Sequence, residues 1–153
     1  MSRPPGAMAA TRRAHATWEG DLLNGKGTVR TESPALPETA LTWKARAENP
    51  GSMTSPEELL AAAHASCFAM ALSNGLAKAG TPATHVRASA ACTFEKVGDG
   101  FKVTKMELTV NAKVPGIEAK RFEEIAKSTG ESGCPISKAL MGNVAISVSA
   151  HLE

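Results

Sequence analysis

An α+β fold of element order βββ-α-ββ-αα-β is expected from three observations. Short runs of strand-like composition precede one long Ala-rich segment, strong helix start and stop signals bracket that segment, and the last third carries alternating apolar residues. The 153 residues are 42% hydrophobic and 21% charged, which suits one compact domain with its own core. That domain is placed over residues 13–153. It follows an N-terminal tail, residues 1–12, whose prolines, glycine and small side chains lack periodicity and are expected to be mobile.

The elements follow in order. Ala14–Trp18 and Gly27–Glu32 read as strands, with Asn24, Gly25 and Gly27 supplying a turn for a hairpin. Leu41–Glu48 reads as a third strand, because Leu41, Trp43, Ala45 and Ala47 alternate with Thr42, Lys44, Arg46 and Glu48. Ser55-Pro56-Glu57-Glu58 then opens a helix. Ser stands at the N-cap, Pro at the first helical position, and Glu58 lies three residues on to complete a capping box. The helix should run to Lys78–Ala79 and stop at a left-handed Gly80. Its apolar residues surround the axis, so both faces are expected to be covered, one by the chain's own antiparallel sheet and the other by a second subunit. His85–Val97 and Phe101–Val114 read as paired strands joined at Gly98-Asp99-Gly100, with an irregularity near Lys105. An amphipathic helix over Glu118–Lys127 follows, then a short helix capped by Cys134 with Pro135 at its first position, and a closing strand over Asn143–Leu152.

Composition removes several function classes. A net charge of +2, evenly spread, does not make a nucleic-acid footprint or a polybasic membrane patch, and 4% aromatics without Tyr supply few stacking platforms. Three cysteines without a CxxC pair or a finger-like Cys/His cluster indicate neither a disulfide scaffold nor a structural zinc site, and a reducing cytoplasm is the expected compartment. No apolar run follows Arg12 and Arg13 as a secretion signal would require. Leu59–Ala77 carries His64, Ser66, Ser73 and Asn74 and is better read as a buried helix than as a membrane span.

Two cysteines are candidates for chemistry. Cys67 lies mid-helix, where a buried cysteine behaves as a small hydrophobe and lacks the positive helix end that lowers a thiol pKa; a thiolate there needs a cation from another segment. Cys134, at a helix N-terminus before Pro, meets unpaired N–H groups that favour a thiolate, although it also serves as a plain cap. Cys92 belongs on the apolar face of a strand. His64, three residues before Cys67, permits a Cys–His pair, but the signal is weak and a His on such a helix is more often hydrogen-bonded for structure; His15, His85 and His151 do not fall at metal-ligand spacing, and no metal is expected. Glu57 and Arg46 are each explained by local roles, as a first-turn carboxylate and as the solvated face of a strand.

Taken together, WEGDLLNGKGTVRTES, SPEELLAAAHASCFAMALS and GCPISKAL, in this order and spacing, resemble the osmotically inducible protein C and organic hydroperoxide resistance (OsmC/Ohr) family. The resemblance spans His15 to Leu152, and the first block and Trp43–Glu48 are closer to the osmotically inducible branch. It implies the family's α+β fold, an intertwined homodimer, and reduction of hydroperoxides by two cysteines without metal, flavin or other cofactor. Carried over by residue, Cys67 matches the peroxidatic cysteine, Cys134 the resolving cysteine of the GCP motif and Glu57 the acidic residue of the PE element. Arg46 matches the activating arginine of this branch, whereas Arg30 lies near where the other branch carries it.

The implied cycle follows from thiol chemistry. A guanidinium beside Cys67 stabilises its thiolate, Glu57 holds the guanidinium, and the thiolate attacks a peroxide oxygen. The resulting sulfenic acid condenses with Cys134 to a disulfide, which a dithiol donor, lipoyl-type by the resemblance, resets by exchange. Phe68 and Met70 are expected to line an apolar pocket beside Cys67, favouring organic over hydrogen peroxide. Ten residues of helix separate Glu57 from Cys67, about 15 Å along the axis at 1.5 Å per residue, so a Glu57 serving that site should come from a partner chain. Two alternatives stand beside this reading: a thioesterase-like hydrolase on a similar helix-and-sheet frame, and a non-catalytic stress-related binding protein with inert cysteines.

Overall fold

The computed structural model describes residues 8–153, and the chain divides into two compact units between Ser55 and Pro56. Of the expected tail, residues 1–7 lie outside the described residues, and residues 8–12 are exposed and without regular structure.

The N-terminal unit is an antiparallel sheet of order β1-β2-β3, with β1 over Ala14–Glu19, β2 over Lys26–Thr31 and β3 over Thr39–Leu41. The β1–β2 turn is held by Asp21, whose Oδ1 accepts from the Asn24 N–H at 2.7 Å and whose carbonyl accepts from the Trp18 Nε1–H at 3.1 Å. The expected third strand ends early: Trp43–Ala47 is a helix, α1. Thr42 caps it, its Oγ1 accepting from the Ala45 N–H at 3.1 Å. The reason is local. Alternation over so short a stretch also places Trp43 and Ala47 at helical i,i+4 spacing, and Lys44-Ala45-Arg46-Ala47 are strong helix formers with no β-branched residue among them.

The C-terminal unit begins with α2, Pro56–Lys78, as its flanking signals require. Gly80, at φ +88, ends it in a Schellman motif: Thr81 N–H donates to the Leu76 carbonyl and Gly80 N–H to that of Ala77, both at 3.0 Å. A side chain at Gly80 would strain that left-handed backbone. Then come β4 (His85–Val97), β5 (Gly100–Lys113), α3 (Ala119–Ser128), a π-helical turn over Thr129–Gly133, α4 (Pro135–Leu140) and β6 (Ala145–Leu152). The sheet order is β4-β5-β6. Thr93 pairs with Lys105 and Phe94 with Val103, so Thr104 is the extra residue of a bulge, beside the expected irregularity.

One feature departs from expectation. The sheet is not antiparallel throughout, because β6 runs parallel to β5. A parallel neighbour needs a long crossover, and the helical stretch between β5 and β6 supplies it. Within the chain α2 is covered on one side: His64, Phe68, Leu72 and Leu76 form one fully buried stripe, while Met70 on another face is 75% exposed. α2 passes for a membrane span by length and apolar composition. Its buried stripe instead packs with Met106, Leu108, Val110 and Ala112 of β5 and Phe122 and Ala126 of α3, each large side chain contributing about 1.5–3 kcal/mol by burial.

Candidate active site

The site is built where α2 meets the end of the crossover. Cys67 flanks the buried stripe of α2 and is half-buried, whereas Cys134 is fully buried. Cys134 has the extended backbone of an N-cap, φ −80 and ψ 148, and its Sγ accepts from the Ser137 N–H at 3.4 Å. Pro135 follows at a position whose missing N–H is no loss. The fold brings Cys67 and Cys134, far apart in sequence, close enough for one thiol to influence the other.

Burial pushes the Cys67 thiol above its ordinary pKa. Opposing this, the Ile136 backbone N–H, in the first turn of α4, lies near the Cys67 sulfur and favours its charged form. The neighbouring Cys134 thiol adds to the rise. Mid-helix Cys67 therefore does meet the N–H end of a helix, contrary to expectation, and that helix is α4. Its surroundings in the C-terminal unit still leave the thiol raised, so a cation is needed to make it a good nucleophile.

Behind the cysteines lies a buried polar cluster. His64 Nε2 is 2.7 Å from Ser137 Oγ, which is 3.1 Å from Cys134 Sγ and hydrogen-bonded to the Gly130 carbonyl. His64 and Ser137 are both fully buried, and burial lowers the His64 pKa, keeping the ring neutral. Gly130 is required by close approach: a Cβ there would stand 2.4 Å from Val148 Cγ2 and 3.2 Å from both Leu108 Cδ1 and Phe68 Cε1. Ser137 is the residue that sequence reasoning missed. Its signal was its place three residues after the N-cap Cys134, where a side chain turns back toward the cap.

The remaining expected residues are carried by other elements. Glu57, 7% exposed in the first turn of α2, is not brought to Cys67 within the chain, since ten helical positions separate them by about 15 Å. Its charge instead reaches Cys92 on β4, whose thiol is raised first by burial and then by that carboxylate. Arg46 is carried by helix α1 of the N-terminal unit, its guanidinium 5.9 Å from the Trp43 ring centroid, and not by a strand. Arg30 is exposed on β2. The expected apolar pocket is not lined as foreseen. Phe68 is a fully buried core residue, and Met70 lines a groove with Ala69, Ser73, Asn74 and His85.

Comparison with known proteins agrees with this architecture. The family profile described as OsmC-like protein matches residues 49–149. The chain is 40% identical over 139 residues to Peroxiredoxin OsmC of Escherichia coli (strain K12), covering 91% of this chain and 96% of the relative. It is 29% identical over 149 residues to Organic hydroperoxide resistance protein OhrA of Bacillus subtilis (strain 168), covering 97% of each. A crystal structure of an organic hydroperoxide resistance protein OsmC from Legionella pneumophila shares the fold, at TM-score 0.70 and 24% identity, over 94% of this chain and 99% of that one. With its profile match, its relatives and a shared α+β fold, the chain belongs to the OsmC-like family.

Proposed function

We propose that this protein is a thiol peroxidase that reduces organic hydroperoxides, with Cys67 attacking the peroxide and Cys134 resolving the product. Its kinship with proteins named for peroxiredoxin activity and organic hydroperoxide resistance makes the role peroxidase-type and cysteine-based. The single observation that supports the residue assignment is the neighbouring of two sulfurs from α2 and the cap of α4.

The chemistry follows. The Cys67 thiolate attacks the terminal oxygen of ROOH, the O–O bond breaks, and RO⁻ takes a proton to leave as ROH, giving Cys67–SOH. Cys134–SH then displaces the hydroxyl: the S–S bond forms, the S–O bond breaks, and the proton leaves with hydroxide as water. Exchange with a dithiol of the lipoyl class restores both thiols and releases the oxidised donor. The cycle starts from free thiols, and no cysteine is bridged in the structure.

Because the sulfur's own surroundings raise the Cys67 thiol, activation is assigned to the Arg46 guanidinium, oriented by Glu57. The axial distance between Glu57 and Cys67 supports a Glu57 donated by a second copy, and the exposed α2 face around Met70 is suited to a homodimer. Replacing the cysteines singly tests the assignment. Cys67→Ser should abolish dithiol-dependent consumption of cumene hydroperoxide, while Cys134→Ser should consume about one equivalent and stop at a sulfenic acid that dimedone traps. Full turnover by Cys67→Ser would refute it.

A further inference from the structure

The Ser137 hydroxyl has three polar neighbours and only one proton. The Gly130 carbonyl cannot donate, so the hydroxyl proton is committed to it. The other two contacts must then be donated to Ser137 Oγ, filling both lone pairs: His64 gives its Nε2–H and Cys134 its S–H. The unpartnered atom of the cluster agrees, for His64 Nδ1 is buried without a hydrogen bond. A bare ring nitrogen there costs less than the orphaned N–H of the other tautomer would. A thiolate at Cys134 would keep the Ser137 N–H as a donor at 3.4 Å but would face, at 3.1 Å, a hydroxyl oxygen that has no proton to turn toward it.

We infer that Ser137, anchored by His64 and the Gly130 carbonyl, is a positioning residue that holds the proton on Cys134, so that of the two neighbouring sulfurs Cys67 is the one that takes the negative charge. The inference rests on the peroxidase reading for its consequence, not for its geometry. Two thiolates in contact would repel, and a charged Cys134 would draw the activating cation from the attacking sulfur. With the proton held on Cys134, one charge enters the site and sits on Cys67. When Cys67–SOH forms, Cys134–SH brings its own proton to the departing hydroxide, so sulfenic acid and thiol give disulfide and water with no outside acid or oxidant. Ser137 Oγ is then left with one lone pair that no donor reaches, and the reduced state regains that hydrogen bond.

The test needs no peroxide. In a Cys67→Ser/Cys92→Ser background, Cys134 is the only thiol, and its ionisation is followed by thiolate ultraviolet absorbance against pH. Adding Ser137→Ala should lower the titration midpoint by about one pH unit, a tenfold larger thiolate-to-thiol ratio, and Ser137→Thr should restore it. A midpoint that stays or rises in Ser137→Ala overturns the inference, because a hydroxyl donating to the sulfur would have stabilised the thiolate. Should Ser137→Ala not fold, the S–H infrared band of the parent background decides. A band at neutral pH displaced to lower frequency than in the unfolded chain supports the inference, and a missing or undisplaced band overturns it. Failure of peroxide turnover would remove the proposed function and leave this proton assignment standing, and the reverse also holds.

Discussion

Gly130→Ala probes the packing on which the candidate site is built. The added methyl would stand 2.4 Å from Val148 Cγ2, where ordinary contact begins at 3.4 Å, so β6 or the π-helical turn must yield by about 1 Å. Leu108 Cδ1 and Phe68 Cε1, each at 3.2 Å, block the easy retreats, since both residues are essentially fully buried. Overpacking of this kind should cost about 2 kcal/mol, or about 4–8 °C in melting temperature for a chain of this size. The same displacement moves the carbonyl that fixes Ser137, so peroxide-driven disulfide formation should slow as well. Gly75→Ala is the control: its methyl meets Ile125 Cγ2 at 3.6 Å and Thr129 Oγ1 at 4.0 Å, ordinary contacts, and an Ala in the last turn of α2 should gain about 0.5–1 kcal/mol. Urea unfolding of both variants checks the pair. Equal stabilities for Gly130→Ala and the parent would refute the described packing around the turn.

Two further outcomes are expected. Burial lowers the His64 pKa, so below about pH 6.5 the unfolded chain binds a proton that the native chain does not; stability should fall as pH drops from there toward the native value. The slope, at most about 1.4 kcal/mol per pH unit, should be absent from His64→Gln in urea unfolding followed across that window. If Glu57 serves the partner's Cys67, mixing Glu57→Ala and Cys67→Ser subunits should recover about one quarter of parental activity, because half of the dimers are mixed and each rebuilds one of two sites. Recovery of none would place Glu57 and Cys67 in service within one chain, or in no common site.

Much of this fold was legible because its signals are local. Pro56 and Gly80 mark the ends of α2, Cys134-Pro135 marks the start of α4, and the alternation in β4 and β5 fixes their faces. α1 was misread because so short an alternation cannot separate a strand from a turn of helix, and only the Thr42 cap hints at the outcome. The direction of β6 was not legible, since it depends on how the helical crossover returns the chain to the sheet. The site was legible in its sulfurs and not in their setting. The Ile136 N–H near Cys67 and the Ser137 hydroxyl beside His64 arise from residues distant in sequence, and no spacing rule links them.

The pairing of Cys67 with Cys134 is tested most directly by mass spectrometry of non-reduced peptides after one equivalent of cumene hydroperoxide. A Cys67–Cys134 linked peptide formed within each chain, with Cys92 still free, is the predicted result. Cysteines that all remain reduced while peroxide is consumed, or a Cys67 oxidised to sulfinic acid beside an untouched Cys134, would contradict it.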